Sequence, residues 1–537
     1  MIRFNYEDEA LDQLSLTKKQ QSVLKAVRSR GVTKEAAESI GFNFNTYRRT
    51  LETLRKKVLT PVAKVEEEKE ITDMKRKLND LSSDYKTFTE HDEYIMVVTS
   101  AQNGTRVHPT FWKNLNKLVD TREVNSKLLV IPIRYRNPTS VFDDLEHEYW
   151  DPAVMSYVCE DDFKLNSNIS ILGALKSQPT AVRPLSGLEQ ASEDRSAIIG
   201  HTKLELKCIA TPSNRLPKIL VSTGACTQPN YTDSKAGYKA NKAHKLSAIL
   251  VHVKDKRFLM WQIVADNEGN FIHMNEEFYN GTVRKAGRPN VLSTGDLHGV
   301  NHSHEAVQAT KEMIQHLNPE IITYDDTLDF ESGSHHAKKD PVHQVMMRKD
   351  GRNLIVNELK GTFNVWDGII DAASADTKHV AKRANHDEHF ERWVKETDPR
   401  TDPDNALVWC KAFTEMVDGR DPFKMYAKEL MHNYDKVNFL VRDVSYMING
   451  VDHAGHGDKG ANGARGSLQG FTKLGCPGQW SHSHTPGVMN DQYQNGTLSV
   501  LRMGYNVGPS SWLNCNTVQY ANGQRSLFFI IDGIWKF

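Results

Sequence analysis

The sequence has few cysteines, and none of them form a recognised pair. Its six cysteines lie far apart and include no Cys-x-x-Cys motif: Cys159, Cys208, Cys226, Cys410, Cys476 and Cys515. Structural zinc sites and disulfide frameworks are built from closely spaced or numerous cysteines. We therefore expect reduced thiols, and neither a zinc ribbon nor a disulfide framework.

Long apolar segments are also missing. Residues 1–8 contain no apolar core of a signal peptide. No stretch approaches the roughly 18 uninterrupted apolar residues that a membrane-spanning helix needs. The sequence therefore predicts a protein with no membrane segment, located in the cytoplasm.

An excess of charge of either sign is absent as well. Lysine plus arginine and aspartate plus glutamate number 68 each, so nucleic-acid binding would have to rely on local basic patches. Hydrophobic residues make up 39% and charged residues 25% of the 537 residues, which is typical of a soluble globular protein. A chain of this length is expected to form two or three domains.

Residues 16–58 have the apolar spacing of three short helices. Apolar positions recur at helical intervals in three successive segments. Suitable N-caps and helix stops stand at the ends of these segments. They are Thr17, Thr33, either Asn43 or Asn45, Gly31 and Gly41. We expect residues 1–60 to form a small helical module.

This module resembles the helix-turn-helix of sigma factors and response regulators. The similarity lies in a Leu-Thr start, a middle segment with Gly, Thr, Glu and Ala, and a third helix that follows a second glycine. It implies that the third helix binds DNA. The residues facing a groove would be Thr46, Tyr47, Arg48 and Arg49, and those near phosphates Arg55, Lys56 and Lys57. The alternative is a three-helix packing module with a solvated basic face.

A charged segment separates this module from a β-rich middle region. Residues 61–91 combine dense charge with sparse apolar positions, as in a solvated helix or tether. From residue 92 onward, short apolar runs between Pro, Gly and Asn turns predict buried strands, and residues 111–118 predict a helix. The runs are residues 95–99, 128–133, 219–222, 248–253 and 258–263. We expect a linker over 61–91 and an α/β domain over 92–290.

The next segment predicts strand, helix and strand, with polar residues at the strand ends. The first apolar run ends in Asp296-Leu297-His298, where an extended strand would place the aspartate and the histidine on one face. Helical spacing follows over residues 304–317, and a second run ends at Asp325 and Asp326. Because α/β proteins build sites at the carboxyl ends of parallel strands, these side chains are candidates for one site.

The order of further motifs resembles that of the calcineurin-like metallophosphoesterases, in the branch that includes the nuclease subunit of double-strand-break repair complexes. That family has Asp-x-His, Gly-Asp-x-x-Asp, Gly-Asn-His-Asp/Glu, a His, and Gly-His-x-His. The counterparts here are Asp296-Leu297-His298, Asp326-Thr327-Leu328-Asp329, Asn385-His386-Asp387-Glu388, His456-Gly457 and His482-Ser483-His484. The resemblance covers residues 291–537. It implies an α/β protein whose C-terminal domain is a metallophosphoesterase β-sandwich flanked by helices.

The resemblance also implies a two-metal site. The ligands of one ion would be Asp296, His298 and His484, and those of the other Asn385, His456 and His482. Asp326 would bridge both ions, and His386 would protonate the leaving oxygen or stabilise the charged transition state. The oxygen and nitrogen ligands imply two divalent ions, with Mn²⁺ favoured and Fe²⁺, Zn²⁺ or Mg²⁺ as alternatives.

Two of these assignments have competitors. Asp325 adjoins Asp326, which we favour as the bridge because it alone has the Asp-x-x-Asp spacing to Asp329. His453 competes with His456, which the flanking glycines favour. The family's usual glycines are replaced at three positions, Asp325, Ala384 and Ser481. Because those glycines shape the backbone, their loss bears on geometry rather than on ligand identity.

The predicted activity is metal-dependent hydrolysis of DNA phosphodiester bonds. The helix-turn-helix resemblance and the repair-nuclease branch both favour DNA as the partner. The whole arrangement also resembles the host-DNA-degradation proteins of T-five-like bacteriophages, which implies action early in infection in the host bacterial cytoplasm. We also expect a homo-oligomer. Two alternatives are open: a phosphomonoesterase or phosphoprotein phosphatase on the same fold, and a DNA-binding regulator with an inert metal domain.

Overall fold

The computed structural model describes residues 16–58, 77, 79–135, 150–334 and 340–537. The chain divides into two units, Met1–Ser83 and Asp84–Phe537. Residues 79–88 form helix α4.

The first unit contains three helices at the predicted positions, α1 (Lys18–Arg30), α2 (Lys34–Glu38) and α3 (Phe44–Val58). A capping box begins α1, in which the side chains of Thr17 and Gln20 each accept from the backbone N–H of the other. Thr33 caps α2, and the Asn43 side chain accepts from the Thr46 N–H in α3. These bonds satisfy N–H groups that a helix start leaves without partners, so the predicted helix starts are confirmed.

The core of the first unit includes Tyr47, for which the sequence predicts a groove-facing position. That prediction is wrong, because the Tyr47 side chain is fully buried among apolar residues and its hydroxyl donates to the Gly31 carbonyl oxygen at 3.0 Å. Helical periodicity turns this ring toward the other helices. Thr46 and Arg48 are half-buried, and Arg49 is exposed. The side chains of three further predicted DNA-contacting residues lie outside the described residues: Arg55, Lys56 and Lys57.

The second unit alternates strands with helices. Its helices are α5 (Pro109–Asp120), α6 (Lys235–Ala243), α7 (His304–Leu317), α8 (Pro341–Lys349), α9 (Ile355–Ile370), α10 (Asn385–Glu396), α11 (Ala406–Val417), α12 (Pro422–Leu430) and α13 (Leu468–Phe471). Its strands up to residue 296 are β1 (Glu93–Gln102), β2 (Ser126–Ile133), β3 (Asp162–Lys164), β4 (Ile169–Leu172), β5 (Ser196–Ile199), β6 (Glu205–Ile209), β7 (Lys218–Ser222), β8 (Ser247–Lys254), β9 (Arg257–Val264), β10 (Phe271–His273), β11 (Glu276–Tyr279), β12 (Thr282–Lys285) and β13 (Val291–Asp296). The later strands are β14 (Ile321–Asp325), β15 (Lys378–Ala381), β16 (Val437–Phe439), β17 (Met447–Ile448), β18 (Val451–Asp452), β19 (Gly478–Trp480), β20 (Gly487–Met489), β21 (Gln492–Gln494), β22 (Asn514–Gln519) and β23 (Arg525–Ile530).

A four-stranded sheet, in the order β2-β1-β8-β9, contains most of the strands predicted for the middle region. β1 is parallel to β2 and antiparallel to β8, and α5 confirms the helix predicted between β1 and β2. Tyr85, which lies in the range predicted as a charged linker, is buried. Its hydroxyl lies within 2.9 Å of the carbonyl oxygens of Leu128 and Tyr157. The end of the predicted linker is therefore part of the packing around this sheet.

A six-stranded sheet carries the predicted strand, helix and strand. Its order is β16-β15-β14-β13-β22-β23, with β13 to β16 parallel to one another and β22 antiparallel to β13. β13, α7 and β14 confirm the elements predicted around the Asp-x-His motif. A small antiparallel sheet of β10, β11 and β12 precedes it in the chain. The carboxyl ends of β13, β14 and β15 therefore lie at one edge, where the candidate site is built.

A ten-stranded sheet joins the two ranges that the sequence assigns to separate domains. Its order is β17-β18-β19-β21-β20-β6-β7-β5-β4-β3, so strands from both sides of residue 290 share it. The join is the antiparallel pair β6 and β20, in which Leu206 is opposite Val488. Residues 92–290 and 291–537 thus belong to one unit rather than two. Pairing between strands so far apart in the chain has no local sequence signal.

The mixed α/β class is confirmed by these sheets and helices. The arrangement of the C-terminal strands as a metallophosphoesterase sandwich stays a prediction. No disulfide joins any of the six cysteines, all of which lie among the described residues. In the part of the chain that the structure describes, every helix is too short or too polar to cross a membrane.

Candidate metal centre

The first side chains of the site follow β13. Asp296 ends the strand, and His298 has the left-handed backbone conformation (φ 51°), so the strand does not stay extended through this motif. The prediction that an extended strand places Asp296 and His298 on one face is therefore wrong, and their proximity has another cause. Instead, the N–H groups of Leu297 and His298 donate to the carbonyl oxygens of Asp325 and Asp326, at 3.1 and 2.9 Å. These bonds hold the turn that follows β13 against the carboxyl end of β14.

Asp296, His298 and His484 form one group of converging ligand atoms. His484 Nε2 lies 3.0 Å from Asp296 Oδ2 and 2.8 Å from His298 Nε2. All three side chains are buried, and their ligand atoms lie within 4.8 Å of one another. Burial alone would raise the pKa of Asp296, but His456 and His484 outweigh it and lower that pKa. The structure thus brings together the residues that the sequence assigns to the first ion.

Asn385, His456 and His482 form a second group. Asn385 is the first residue of α10, and its Oδ1 atom lies 3.0 Å from both His456 Nε2 and His482 Nδ1. The backbone N–H of His482 donates to Asp296 Oδ2 at 3.0 Å, which joins this group to the first. The three side chains predicted for the second ion therefore converge as well.

Asp326 lies between the two groups. Its Oδ2 atom is 3.5 Å from His456 Nε2, and its Oδ1 atom accepts from the His386 N–H at 3.0 Å. Ligand atoms of His298, Asp326 and His386 also lie within 4.8 Å of one another. Burial alone would raise the pKa of Asp326, but the nearby histidines lower it well below its usual range. Asp326 stays ionised and close to both groups, the position that a bridging carboxylate needs.

Asp325, the competitor for the bridging role, faces a different set of partners. Its Oδ1 atom lies 3.1 Å from His456 Nδ1, and its Oδ2 atom is 2.8 Å from the Lys382 ammonium. Both members of this ion pair are fully buried. Although Asp296, Asp325 and His456 also have ligand atoms within 4.8 Å, the lysine occupies one Asp325 oxygen. The geometry favours Asp326 as the bridge and gives Asp325 the role of holding His456.

Lys382 has no part in the sequence prediction. It directly follows β15, and its Nζ atom is also 3.4 Å from the Gln479 carbonyl oxygen. A lysine after a short apolar strand usually points into solvent, so nothing in its local sequence distinguishes it. The family usually has glycine at the position of Asp325. An aspartate there was the sequence feature that could have indicated a buried cation nearby.

The second competitor, His453, lies outside both groups. It is buried, and its Nε2 atom is 2.8 Å from Gln519 Oε1. Gly457, which follows His456, has φ 121°, and a Cβ there would lie 2.9 Å from the Ser481 carbonyl oxygen. Only glycine fits that position, which explains the glycine beside His456. The geometry favours His456 over His453 as a ligand.

His386 lies beside the ligand groups and is held by Asp329. Its Nδ1 atom is 2.9 Å from the Asp329 carbonyl oxygen and 3.3 Å from Asp329 Oδ1. Burial alone would lower the pKa of His386, but Asp326 and Asp329 raise it to about 10. Asp329 Oδ1 also lies 2.9 Å from His298 Nδ1. One carboxylate therefore orients both the candidate acid and a candidate ligand.

Four residues of the site have a strained backbone conformation. Residues with positive φ include His298 (51°), Asp326 (40°), His482 (71°) and His484 (56°). Such conformations cost about 1 kcal/mol or more for residues with a Cβ, and they cluster at functional sites. None of the three residues that replace the family's glycines has a positive φ value, so their backbone is not strained in this way. These residues are Asp325, Ala384 and Ser481.

The donor atoms suit divalent metal ions. Carboxylate and amide oxygens and imidazole nitrogens are the ligand types that manganese, iron and zinc accept. Among the described residues, Asp296 Oδ1 and Asp326 Oδ2 are buried and have no hydrogen-bond partner. The Nε2 atoms of His298 and His484 face each other at 2.8 Å, where at most one carries a proton. Cations bound by the two ligand groups would supply partners for these atoms.

Comparison with known proteins gives one relationship to a bacteriophage protein. The chain is 28% identical over 460 residues to Protein A1 of Escherichia phage T5, covering 81% of this chain and 82% of that protein. No family model matches the chain. No solved structure matches it either.

Proposed function

We propose that this protein is a metal-dependent DNase that hydrolyses DNA phosphodiester bonds at a two-metal centre, with Mn²⁺ as the favoured ion. The observation that carries the proposal is the convergence of all the predicted ligands from distant parts of the chain. The contacts run without a break from His298 through His484, Asp296, His482 and Asn385 to His456. Motif order alone predicted that these side chains belong together.

The residues of the two groups would hold one ion each, and Asp326 would contact both. Such a pair of ions lowers the pKa of a bound water molecule and neutralises charge on the phosphoryl oxygens. Asp326 can face both groups because its Oδ1 atom is held by the His386 N–H while Oδ2 is directed at His456. Asp325 and Asp329 contact Nδ1 of His456 and of His298, respectively, and so fix the orientation of these rings.

His386 would protonate the leaving oxygen. Its Nδ1–H donates to the Asp329 carbonyl oxygen, which leaves Nε2 as the second donor of the charged ring. The raised pKa keeps a proton on the ring near neutral pH. A positioned acid of this kind contributes about 10² to 10⁴ in rate. The same charge stabilises the developing negative charge of the transition state.

DNA is the proposed substrate, in keeping with the helical first unit. The exposed Arg49 and the half-buried Arg48 on α3 supply cations for phosphate contacts. The relationship to a phage protein is consistent with host-DNA degradation early in infection, in the host bacterial cytoplasm. The expected homo-oligomer stays a prediction that light scattering of the purified protein would measure.

The decisive assay compares substrates with metal supplied. Purified protein with Mn²⁺ is incubated with plasmid, linear DNA and p-nitrophenyl phosphate, beside the variants Asp326→Asn and His386→Ala. We expect degradation of both DNAs by the wild type and a large loss in each variant. Activity on the small ester alone would instead identify a phosphomonoesterase. Inactivity of the wild type with Mn²⁺, Mg²⁺ and Zn²⁺ would identify an inert metal domain.

A further inference from the structure

A cavity of about 650 Å³ lies at the ends of β19 and β20 that are remote from the metal centre. β19 runs from Pro477 toward His482, and β20 returns from the same turn toward Asn490. Pro477 and Asn490 both line the cavity. A strand of three residues is roughly 10 Å long, so the cavity is separate from the metal centre but connected to it through two strands.

The cavity is strongly basic. The cations that line it are Lys203, Lys239, Lys242, Lys245 and Arg525. Asp491 is the one carboxylate among the described lining residues, and it pairs with Lys245 at 2.7 Å. Asp491 also attracts Arg525, and no other carboxylate among the described residues lines the wall beside the three remaining cations, Lys203, Lys239 and Lys242. An anionic ligand would supply the missing negative charge.

Two of these cations are buried, which separates this cavity from an ordinary lysine-rich surface. Lys203 is 4% exposed and Arg525 is 5% exposed. Lys203 Nζ donates to the Ala181 carbonyl oxygen, and Arg525 donates to the carbonyl oxygens of Gly478 and Asp491. Burial lowers the pKa of both groups, because these neutral partners replace only part of their hydration. Glu205 attracts Lys203 and Asp491 attracts Arg525, which offsets part of the cost of burying these charges, and an anion in the cavity would offset more of it.

The rest of the wall combines apolar and aromatic side chains with polar ones, which are Asn449, Thr472, Asn490, Asn522 and Gln524. Apolar side chains on the wall are Val182, Leu204, Val264, Val451 and Val488. Tyr238, on α6, is 67% exposed, and Tyr493 packs beneath the Arg525 guanidinium at 4.3 Å from its ring centre. An apolar surface beside a cluster of cations suits a ligand with a flat ring and an anionic group. The volume is in the range of small-molecule sites.

We propose that this cavity binds a nucleoside phosphate, with its phosphate between the buried Lys203 and Arg525 and the lysines of α6, and its base against the apolar side chains of the wall. The ligand is either a free nucleotide or the phosphorylated end of a DNA strand, and the chemistry of recognition is the same. Lys239 and Lys242 lie on α6 and line the cavity, whereas Lys235, on the same helix, does not. The site requires no metal and does not depend on phosphodiester hydrolysis.

Calorimetric titration of the full-length protein in EDTA tests this proposal, because chelation removes binding at the metal centre. The probes are deoxyadenosine monophosphate, deoxyadenosine and a 5′-phosphorylated pentanucleotide. We expect the monophosphate to bind and deoxyadenosine to bind at least tenfold more weakly. Lys239→Glu and Lys242→Glu should each weaken binding about tenfold, the effect of one charged hydrogen bond. Lys235→Glu is the matched control and should leave binding unchanged.

The arms of this experiment separate the two ligand sources. Binding of the pentanucleotide but not of the monophosphate, with the same variant pattern, supports the strand end. Binding of the monophosphate supports the free nucleotide. If neither probe binds, the proposal is overturned. Equal weakening by Lys235→Glu and Lys239→Glu overturns it too, because only general attraction to a basic helix would then operate.

Discussion

Two carboxylates each contact one ring nitrogen of a candidate metal ligand. Because the two ligands belong to different groups, we predict a different effect for the loss of each carboxylate. Asp329 Oδ1 is 2.9 Å from Nδ1 of His298, in the first ligand group, and Asp325 Oδ1 is 3.1 Å from Nδ1 of His456, in the second. A carboxylate in this position fixes the tautomer and orientation of the ring and directs Nε2 at the ion. Each carboxylate should therefore support one ion.

We predict that Asp329→Ala weakens Mn²⁺ binding at the first position and Asp325→Ala at the second. Loss of such a partner typically costs about 10-fold to 100-fold in metal affinity, or about 1.4 to 2.7 kcal/mol. Calorimetric titration of metal-free protein with Mn²⁺ would resolve two classes of site. Reference variants His484→Ala and His482→Ala identify which class belongs to which group.

Asp325 has a second partner, so its variant needs a control. Asp325→Ala leaves the fully buried Lys382 unpaired, which costs about 3 to 5 kcal/mol of stability. Adding Lys382→Met should restore the urea midpoint without restoring Mn²⁺ affinity, because His456 still lacks its carboxylate. The reasoning is refuted if Asp325→Ala and Asp329→Ala weaken the same class of site, or if neither weakens any.

Three further predictions concern the acid, the first unit and pH. His386→Ala should lower DNA hydrolysis about 10² to 10⁴-fold with Mn²⁺ affinity unchanged in calorimetry; a parallel loss of affinity would make His386 a ligand instead. Arg49→Glu should weaken binding of duplex DNA, measured by fluorescence anisotropy, while the exposed Lys25→Glu on α1 should not; equal effects would contradict a DNA-binding role for α3. His201 Nδ1 accepts from the Lys203 N–H, and burial lowers the pKa of His201 to about 4. Because this value is below that of an unfolded histidine, the folded state binds fewer protons. Its stabilisation is present above about pH 6.5 and is lost as pH falls toward 4. From about pH 7 to about pH 5 the loss is about 2 kcal/mol, and His201→Gln should reduce the pH dependence of urea unfolding by that amount. An unchanged pH dependence would show that His201 is not held neutral.

The local elements could be predicted because their causes are local. In the first unit, Thr17, Thr33 and Asn43 supply the caps, and apolar spacing defines three helices between them. The strands of the middle region likewise coincide with apolar runs of strand length. Each of these signals depends on residues a few positions apart. The same spacing fits the buried position of Tyr47, whose predicted groove-facing position came from the helix-turn-helix resemblance and not from periodicity.

The sequence by itself supplied the candidate ligands, through the resemblance of its motifs to those of the metallophosphoesterases. The order of the Asp-x-His, Asn-His and His-x-His motifs named side chains that then lie within hydrogen-bond distance. It also left two choices open, between Asp325 and Asp326 and between His453 and His456. Donor type and spacing are sequence properties, whereas the direction of a side chain is not.

Only the tertiary structure shows which partners each of these alternatives has and forms the surroundings of the site. Lys382 neutralises Asp325 from β15, and Asp329 reaches both His298 and His386. The basic cavity and the candidate metal centre lie at opposite ends of β19 and β20, and β6, from the other side of residue 290, pairs with β20. These relations join residues far apart in the chain, and they depend on burial, where an unpaired charge is costly. The cost of an unpaired buried charge cannot be predicted from neighbouring residues in the sequence, because it depends on which side chains meet when the strands assemble.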